Sequence, residues 1–457
     1  MPSPAVPAFP DGFLWGVSSS AYQIEGAVAE DGRGKSTWDI FGAQPGRIAN
    51  GETAAVATDH YHRYREDVGL IHELGVDAYR FSIAWPRVLP DGSGQVNQAG
   101  LDFYDRLVDE LCAKGIAPMA TLFHWDTPQT IEDAGGWLER DTAFRFAEYA
   151  HVVADALADR VRMWLPLNEP MVVTLFGYAV GAHAPGRQLM FDALPVAHHQ
   201  LLAHGLAVQA LRAAGATSVG IANHHVPVWP ASDSPADRSA ASLYDGLVNE
   251  LFAAPVLRGR YPTAELAAAM PGPVVDDLKI ISEPLDWYGV NYYLPSRVAA
   301  PSATEAPAVV DGVAMPDGLP FDFPMIDGYP LTDFGWPVVP DGLRETLAML
   351  VERYGDVLPP LYVTESGCSY GDEPDEHGRV ADQRRIDYLA GHLRSARQAI
   401  DDGIDLRGYF VWSIMDNFEW AAGFAQRFGL VHIDYETLER TKKDSYFWYR
   451  DLVRAQR

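Results

Sequence analysis

Eight short apolar runs alternate along this chain with stretches of helical periodicity, and that alternation confines it to a parallel α/β architecture. The runs cover residues 13–20, 78–85, 117–125, 161–168, 219–226, 286–293, 361–365 and 406–413. They are rich in β-branched and aromatic residues and are bounded by Gly, Pro or polar residues, the pattern of buried strands. Between them, residues 62–74, 101–114, 142–158, 194–214, 343–354 and 383–401 repeat apolar positions at helical spacing and stop at Gly or charge. Eight strand-then-helix units favour a closed parallel barrel over an open sheet. No Gly/Ser or Pro-rich linker and no repeat divides the chain, so one α/β domain, a (β/α)8 barrel, is expected over residues 1–457. Residues 1–8 are expected to form a flexible tail. A bare barrel needs about 250 residues, and the surplus here is expected in extended βα loops around the mouth. The longest irregular segment, 294–340, follows the sixth strand and carries Phe321, Phe323, Tyr329, Phe334 and Trp336. A loop of that length is usually functional or disordered; its aromatics either rim a pocket or pin the loop to the barrel.

A hydrophobic content of 48% supplies a large core. A formal net charge of −27 repels phosphate backbones and anionic membranes, which argues against nucleic acid or a membrane as partner and favours a neutral substrate. Two cysteines, Cys112 and Cys368, cannot form a disulfide framework. The first ten residues show no cationic segment followed by an apolar one, and no run reaches 18 apolar residues. These features together predict a cytoplasmic protein. The pairs His60/His62 and His224/His225 have no third ligand at metal spacing, so packed histidines and no metal are expected.

Two runs end in a glutamate where a strand meets a loop: Trp164-Leu165-Pro166-Leu167-Asn168-Glu169-Pro170 and Leu361-Tyr362-Val363-Thr364-Glu365-Ser366-Gly367. Barrel enzymes carry their chemistry at the C-terminal ends of strands. Two facing carboxylates there can cleave a glycosidic bond, one as proton donor and one as nucleophile. Amides, an imidazole and indoles gather at the other strand ends: Gln23, His124, Trp125, Asn168, Asn291, Tyr293, Trp412, Glu419 and Trp420. Sugars are held by this mixture, because planar polar groups pair with vicinal hydroxyls and aromatic faces cover the C–H side of the ring.

From about Phe9 to about Asp451 the chain resembles glycoside hydrolase family 1, the β-glucosidase family. The motifs Phe13-Leu14-Trp15-Gly16, Tyr22-Gln23-Ile24-Glu25-Gly26, His124-Trp125-Asp126, Asn168-Glu169-Pro170, His183-Ala184-Pro185-Gly186, Asn291-Tyr292-Tyr293, Thr364-Glu365 and Asp416-Asn417-Phe418-Glu419-Trp420 carry that resemblance. It implies a TIM barrel, no cofactor, and a retaining β-glucosidase with galactosides and fucosides as side substrates. A small β-glucoside or cello-oligosaccharide is the implied partner. By the resemblance Glu169 is the acid/base and Glu365 the nucleophile. Gln23, His124, Asn168 and Glu419 hold the glycone hydroxyls, with Trp125 beside them. Trp412 is the platform under the sugar and Trp420 a further glycone contact. Asn291 and Tyr293 flank the reaction centre, Arg80 supports Glu365, and Trp336 faces the aglycone. A retaining pair stands about 5–5.5 Å apart, so one charge keeps the other carboxyl protonated and a bell-shaped pH profile is expected.

The chain departs from the family pattern at Pro166, where Thr is usual, at Ser366 for Asn, at Met171 for Trp, and at Pro337 after Trp336. Met171 and Pro337 bear on the leaving-group side, and Met171 implies a softer aglycone pocket. Two alternatives stand beside the leading reading. A 6-phospho-β-glycosidase would need cations near the last strand, where Glu419 stands instead. A non-catalytic sugar-binding barrel would lack one of the carboxylates, and both are present.

Overall fold

The computed structural model describes residues 5–302, 309–310, 313–314 and 318–457. Eight strands form one sheet: β1 (Leu14–Ser18), β2 (Ala78–Ser82), β3 (Ala117–Phe123), β4 (Met163–Leu167), β5 (Ala222–His224), β6 (Tyr288–Asn291), β7 (Leu361–Ser366) and β8 (Leu406–Trp412). Every ladder is parallel, and β1 pairs with both β2 and β8. Only β4 and β5 remain to meet. They do so through isolated parallel bridges, Trp164 to Val219 and Asn168 to Ala222, which close the ring.

That seam is thin for a chemical reason. Trp164 donates its N–H to the Ser218 carbonyl at 2.9 Å, and Glu169 donates to the Ala222 carbonyl at 2.8 Å. Pro166 lies between them with no N–H to give. The Pro at this strand therefore leaves a gap in the ladder while Asn168 and Glu169 stay anchored on both sides.

Helices follow every strand, among them α1 (His60–Leu74), α2 (Gln98–Ala113), α3 (Asp141–Leu157), α4 (Leu194–Ala213), α5 (Leu251–Arg258), α6 (Pro340–Tyr354), α7 (Gln383–Asp401) and α8 (Asp444–Ala455). Their buried faces follow the helical repeat; in α1 these are Tyr61, Tyr64, Val68, Ile71 and Leu74. Gly75 ends α1 at φ 81°, where a side chain would be strained.

Inside the ring a separate cluster joins Ala78, Met119, Leu165, Ala222, Trp287 and Phe410. These belong to β2, β3, β4, β5, the entry to β6, and β8, and such a set can touch only across the lumen. Gly16 makes room for it, since a Cβ there would stand 2.2 Å from the Phe410 ring. The barrel interior is thus a packed plug below its C-terminal mouth.

Residues 1–4 of the expected tail lie outside the described residues. Of the rest, Ala5 and Ala8 accept hydrogen bonds from Arg394 at 3.3 Å and Arg397 at 2.6 Å. In the described part of the segment after β6, a short strand Ser296–Val298 pairs with Val228–Pro230. The aromatics of this segment divide. Phe321 and Phe323 pack edge-on against Tyr244, with ring centroids at 5.1 and 5.0 Å. Phe334 and Trp336 face the barrel mouth, and Tyr329 is exposed.

Candidate active site

Glu365 projects from β7 and is buried. Its Oε1 accepts from the Arg80 guanidinium at 2.5 Å, and its Oε2 from the Tyr293 hydroxyl at 2.7 Å. Burial, reinforced by the charge of Glu365, pushes the Tyr293 phenol well above its usual range, so it remains a donor at neutral pH. Arg80 comes from β2 and also donates to Asn168 Oδ1 at 2.6 Å and to the Thr364 carbonyl at 3.2 Å. Arg87, the other arginine of that region, is engaged elsewhere, in a buried pair with Glu25 at 2.8 Å.

Glu169 follows β4 with a left-handed backbone, φ 44° and ψ 62°, a conformation rare for a residue with a side chain. Its Oε1 accepts from Asn291 Nδ2 at 2.7 Å. Thr364 fixes that amide by donating to Asn291 Oδ1 at 2.6 Å, which turns Nδ2 toward both Glu169 and Asn168. One chain of hydrogen bonds, Glu365–Arg80–Asn168–Asn291–Glu169, therefore links the two carboxylates. His224 Nδ1 stands 3.8 Å from Glu169 Oε1. Burial, with the neighbouring His225, lowers the His224 imidazole to about 3, so it faces the carboxyl as a neutral ring.

Asn168 Oδ1 is taken by Arg80 and Asn291, so its Nδ2 donates to His124 Nε2 at 3.1 Å. Burial first, and then the Arg80 charge, pushes His124 well below its usual range. The neutral ring accepts at Nε2 and thus carries its proton on Nδ1, which has no partner among the described residues. Trp412 lies against this imidazole with centroids 5.7 Å apart, and Trp420 packs on Trp125 at 4.5 Å and stacks on Tyr22 at 5.9 Å. Trp336 stands edge-on to Tyr293 at 5.5 Å.

Gln23 is fully buried, and its amide is spent on the protein. Its Oε1 accepts from Ser20 at 2.6 Å; its Nε2 donates to Asn417 Oδ1 and the Phe418 carbonyl, each at 3.0 Å, and lies 3.4 Å from Glu419 Oε2. It stands behind Glu419 and braces that loop. Below the loop, burial would raise the Asp416 carboxyl, but Lys443 at 2.8 Å and Arg427 at 3.0 Å outweigh it and hold it low.

The mouth is a cleft of about 1040 Å³, open solvent at its rim included. Glu169, Glu365, His124, Trp125, Tyr293 and Trp336 line it, together with Trp412, Glu419 and Trp420. Gln23, Asn168, Asn291 and Arg80 are buried and bonded to residues at or beside that wall. Sequence reading assigned no role to His183, His224, Tyr244 or Phe428, which also line it. His183 sits in a quoted motif and so carried a signal; His224, the last residue of β5, read as a packed histidine, and Phe428 carried no signal. Two of the histidines read as packed have ordinary partners: His60 bonds Asp67 at 2.8 Å, and His225 bonds Asn249 at 3.1 Å and Tyr288 at 2.9 Å. Cys368 is buried, and burial pushes its thiol up to about 12, so it is unreactive. Among the described residues no three His, Cys, Asp or Glu converge as a metal site.

Buried carboxylates joined by amides and flanked by indoles, at the C-terminal mouth of a (β/α)8 barrel, define a carbohydrate-active barrel. The model of glycosyl hydrolase family 1 matches residues 6–457, and the chain belongs to that family. It is 48% identical to the thermostable beta-glucosidase B of Thermobispora bispora over 98% of this chain and 91% of that one. Among solved structures, the psychrophilic beta-glucosidase of Micrococcus antarcticus superposes with a TM-score of 0.93 at 47% identity, covering 98% of each chain. The family 1 enzyme of Thermotoga maritima in complex with isofagomine lactam superposes with a TM-score of 0.91 at 42% identity, over 99% of this chain and 100% of that one.

Proposed function

We propose that this chain is a retaining β-glucosidase that removes terminal non-reducing β-D-glucosyl residues by double displacement. Glu365 attacks the anomeric carbon, while Glu169 gives its proton to the departing oxygen. A glycosyl-enzyme ester results, and Glu169 then takes a proton from water as water attacks that carbon. The observation that carries the reading is the different company of the two carboxylates. Glu365 lies between a guanidinium and a phenol O–H, one on each carboxyl oxygen, which fix its orientation at the end of β7. Glu169 accepts from an amide and faces a neutral imidazole.

His124 Nδ1, Glu419 and the indoles of Trp412 and Trp420 are assigned to the glycone. Gln23, Asn168 and Asn291 are assigned to positioning them from behind. The cleft extends past one sugar ring, which suits aryl glucosides and cello-oligosaccharides. Glu419 in the wall disfavours a phosphorylated sugar, because two anions would meet there. Cys112 is exposed and unpaired, which suits a reducing cytoplasm. Among the described residues no helix is long and apolar enough to cross a membrane.

The test is initial rates on the p-nitrophenyl β-glycosides of glucose, galactose, fucose and 6-phosphoglucose, beside Glu365→Ala. Release from the neutral glucoside, lower by about 10⁴-fold or more in Glu365→Ala, is expected. Release from the phosphorylated sugar alone would overturn the reading of Glu419. Silence on all four would favour a binding barrel.

A further inference from the structure

A second cavity, of about 790 Å³ with open solvent at its mouth included, lies beside the active cleft. Three residues, Met171, Phe176 and Tyr244, line both spaces and form a common wall. Met171 is two residues past Glu169 and lines the same cleft, so this wall adjoins the carboxyl assigned to the leaving oxygen. Beyond it the lining turns wholly uncharged, with Val180, Met190, Phe191, Leu247, Phe321 and Phe323 among its residues. Thr174, one of its few polar members, spends its hydroxyl on the Pro170 carbonyl at 2.9 Å. A space with so few polar groups holds water poorly. Phe191, at 50% exposure, sits at its outer edge.

We infer that this cavity receives the hydrocarbon tail of the aglycone, so that the enzyme favours β-glucosides of long, uncharged apolar alcohols. The inference rests on the glucosidase reading and names its substrate class. The glucosyl ring lies between Trp412 and Trp420, the glycosidic oxygen at Glu169, and the chain passes Met171 into the second cavity. Met171 suits such a passage, because its unbranched thioether yields where an indole would not. On cleavage the C–O bond to the anomeric carbon breaks, the oxygen takes the Glu169 proton, and the free alcohol departs from the apolar side.

The experiment compares kcat/KM for methyl, butyl, hexyl and octyl β-glucosides with p-nitrophenyl β-glucoside. For chains long enough to pass Met171, each further methylene should raise kcat/KM by roughly threefold until the cavity is full. Phe191→Asp places a charge at the edge, and Val180→Trp fills the space. Both should cut the octyl rate by about 10-fold or more, while p-nitrophenyl β-glucoside, too short to pass Met171, stays within about twofold. That second substrate also reports whether a variant has folded. No rise with chain length, or a rise unchanged in both variants, overturns the inference. Calorimetry with methyl and octyl 1-thio-β-glucosides needs no turnover. Tighter octyl binding, weakened by Phe191→Asp, in a protein that cleaves none of the glucosides would sink the glucosidase reading and leave the cavity assignment standing. Cleavage of p-nitrophenyl β-glucoside without any octyl preference would do the reverse.

Discussion

Around Glu365, polar side chains are locked to one another: Arg80, Asn168, Asn291, Thr364 and Tyr293 form a single network of bonds between 2.5 and 3.0 Å. Across the cleft, past Met171, the wall is thioether, aliphatic and aromatic, with little to hold a polar group in place. A network of charge-assisted bonds in a dry site fixes atoms where charge develops. An apolar wall rewards area and tolerates variation in shape. The departure from the family pattern at Met171 falls on the second side, whereas Pro166 and Ser366 stand behind the first and leave its network whole. Ser366 meets the Tyr388 hydroxyl at 3.4 Å, away from Glu365.

Replacing Glu169 by Gln sharpens this contrast most. Hydrolysis of an unactivated alkyl glucoside should fall by about 10²–10⁴-fold, the usual worth of general acid help. A p-nitrophenyl glucoside, whose leaving group needs little protonation, should lose much less in the glycosylation step. Equal losses on both, measured by pre-steady-state release, would remove Glu169 from the acid role. Met171→Trp probes the other side with a smaller effect. KM for octyl β-glucoside should rise by roughly tenfold while kcat for p-nitrophenyl β-glucoside changes by less than about threefold. A large fall in kcat would show that the two halves are not independent.

The smallest effect concerns stability in acid. Burial lowers His183, His225 and His392 to about 4 and His204 to about 3, and His224, beside His225 as well, to about 3. The unfolded chain takes up protons at these residues near pH 6.5, and the folded one does so only near pH 3–4. Their contribution is present above the unfolded value and is lost as pH falls from about 6.5 toward 4. Burial also pushes the Asp126 carboxyl well above its usual range, which works in the opposite sense. The guanidinium chloride midpoint should therefore drop between pH 7 and pH 4.5, and His204→Gln, remote from the cleft, should flatten that slope. A midpoint that rises on acidification would contradict the neutral state of these rings.

The eight strands were legible because each is a short apolar run closed by Gly, Pro or a polar residue, and such runs survive any choice of loop. Both glutamates were legible for the same reason, since each ends a strand. Helix starts were less so: α1 begins at His60 and α6 at Pro340, two and three residues before their apolar repeats begin. Gln23 showed a strand-end amide, but its place behind Glu419 depends on Asn417 and Phe418, nearly four hundred residues away. The part played by His224 was hidden too, since a lone His beside another His looks like packing until Glu169 is seen 3.8 Å away.

By itself the sequence determined the parallel barrel, its eight units and the pair of carboxylates. Periodicity and strand-end chemistry are local properties, written within ten or twenty residues. Tertiary structure alone decided the path of hydrogen bonds from Glu365 to Glu169, the tautomer of His124, the bracing role of Gln23 and the apolar space behind Met171. Each of these depends on atoms from distant strands and loops meeting at one end of the barrel, and closure of the ring is what brings them within reach.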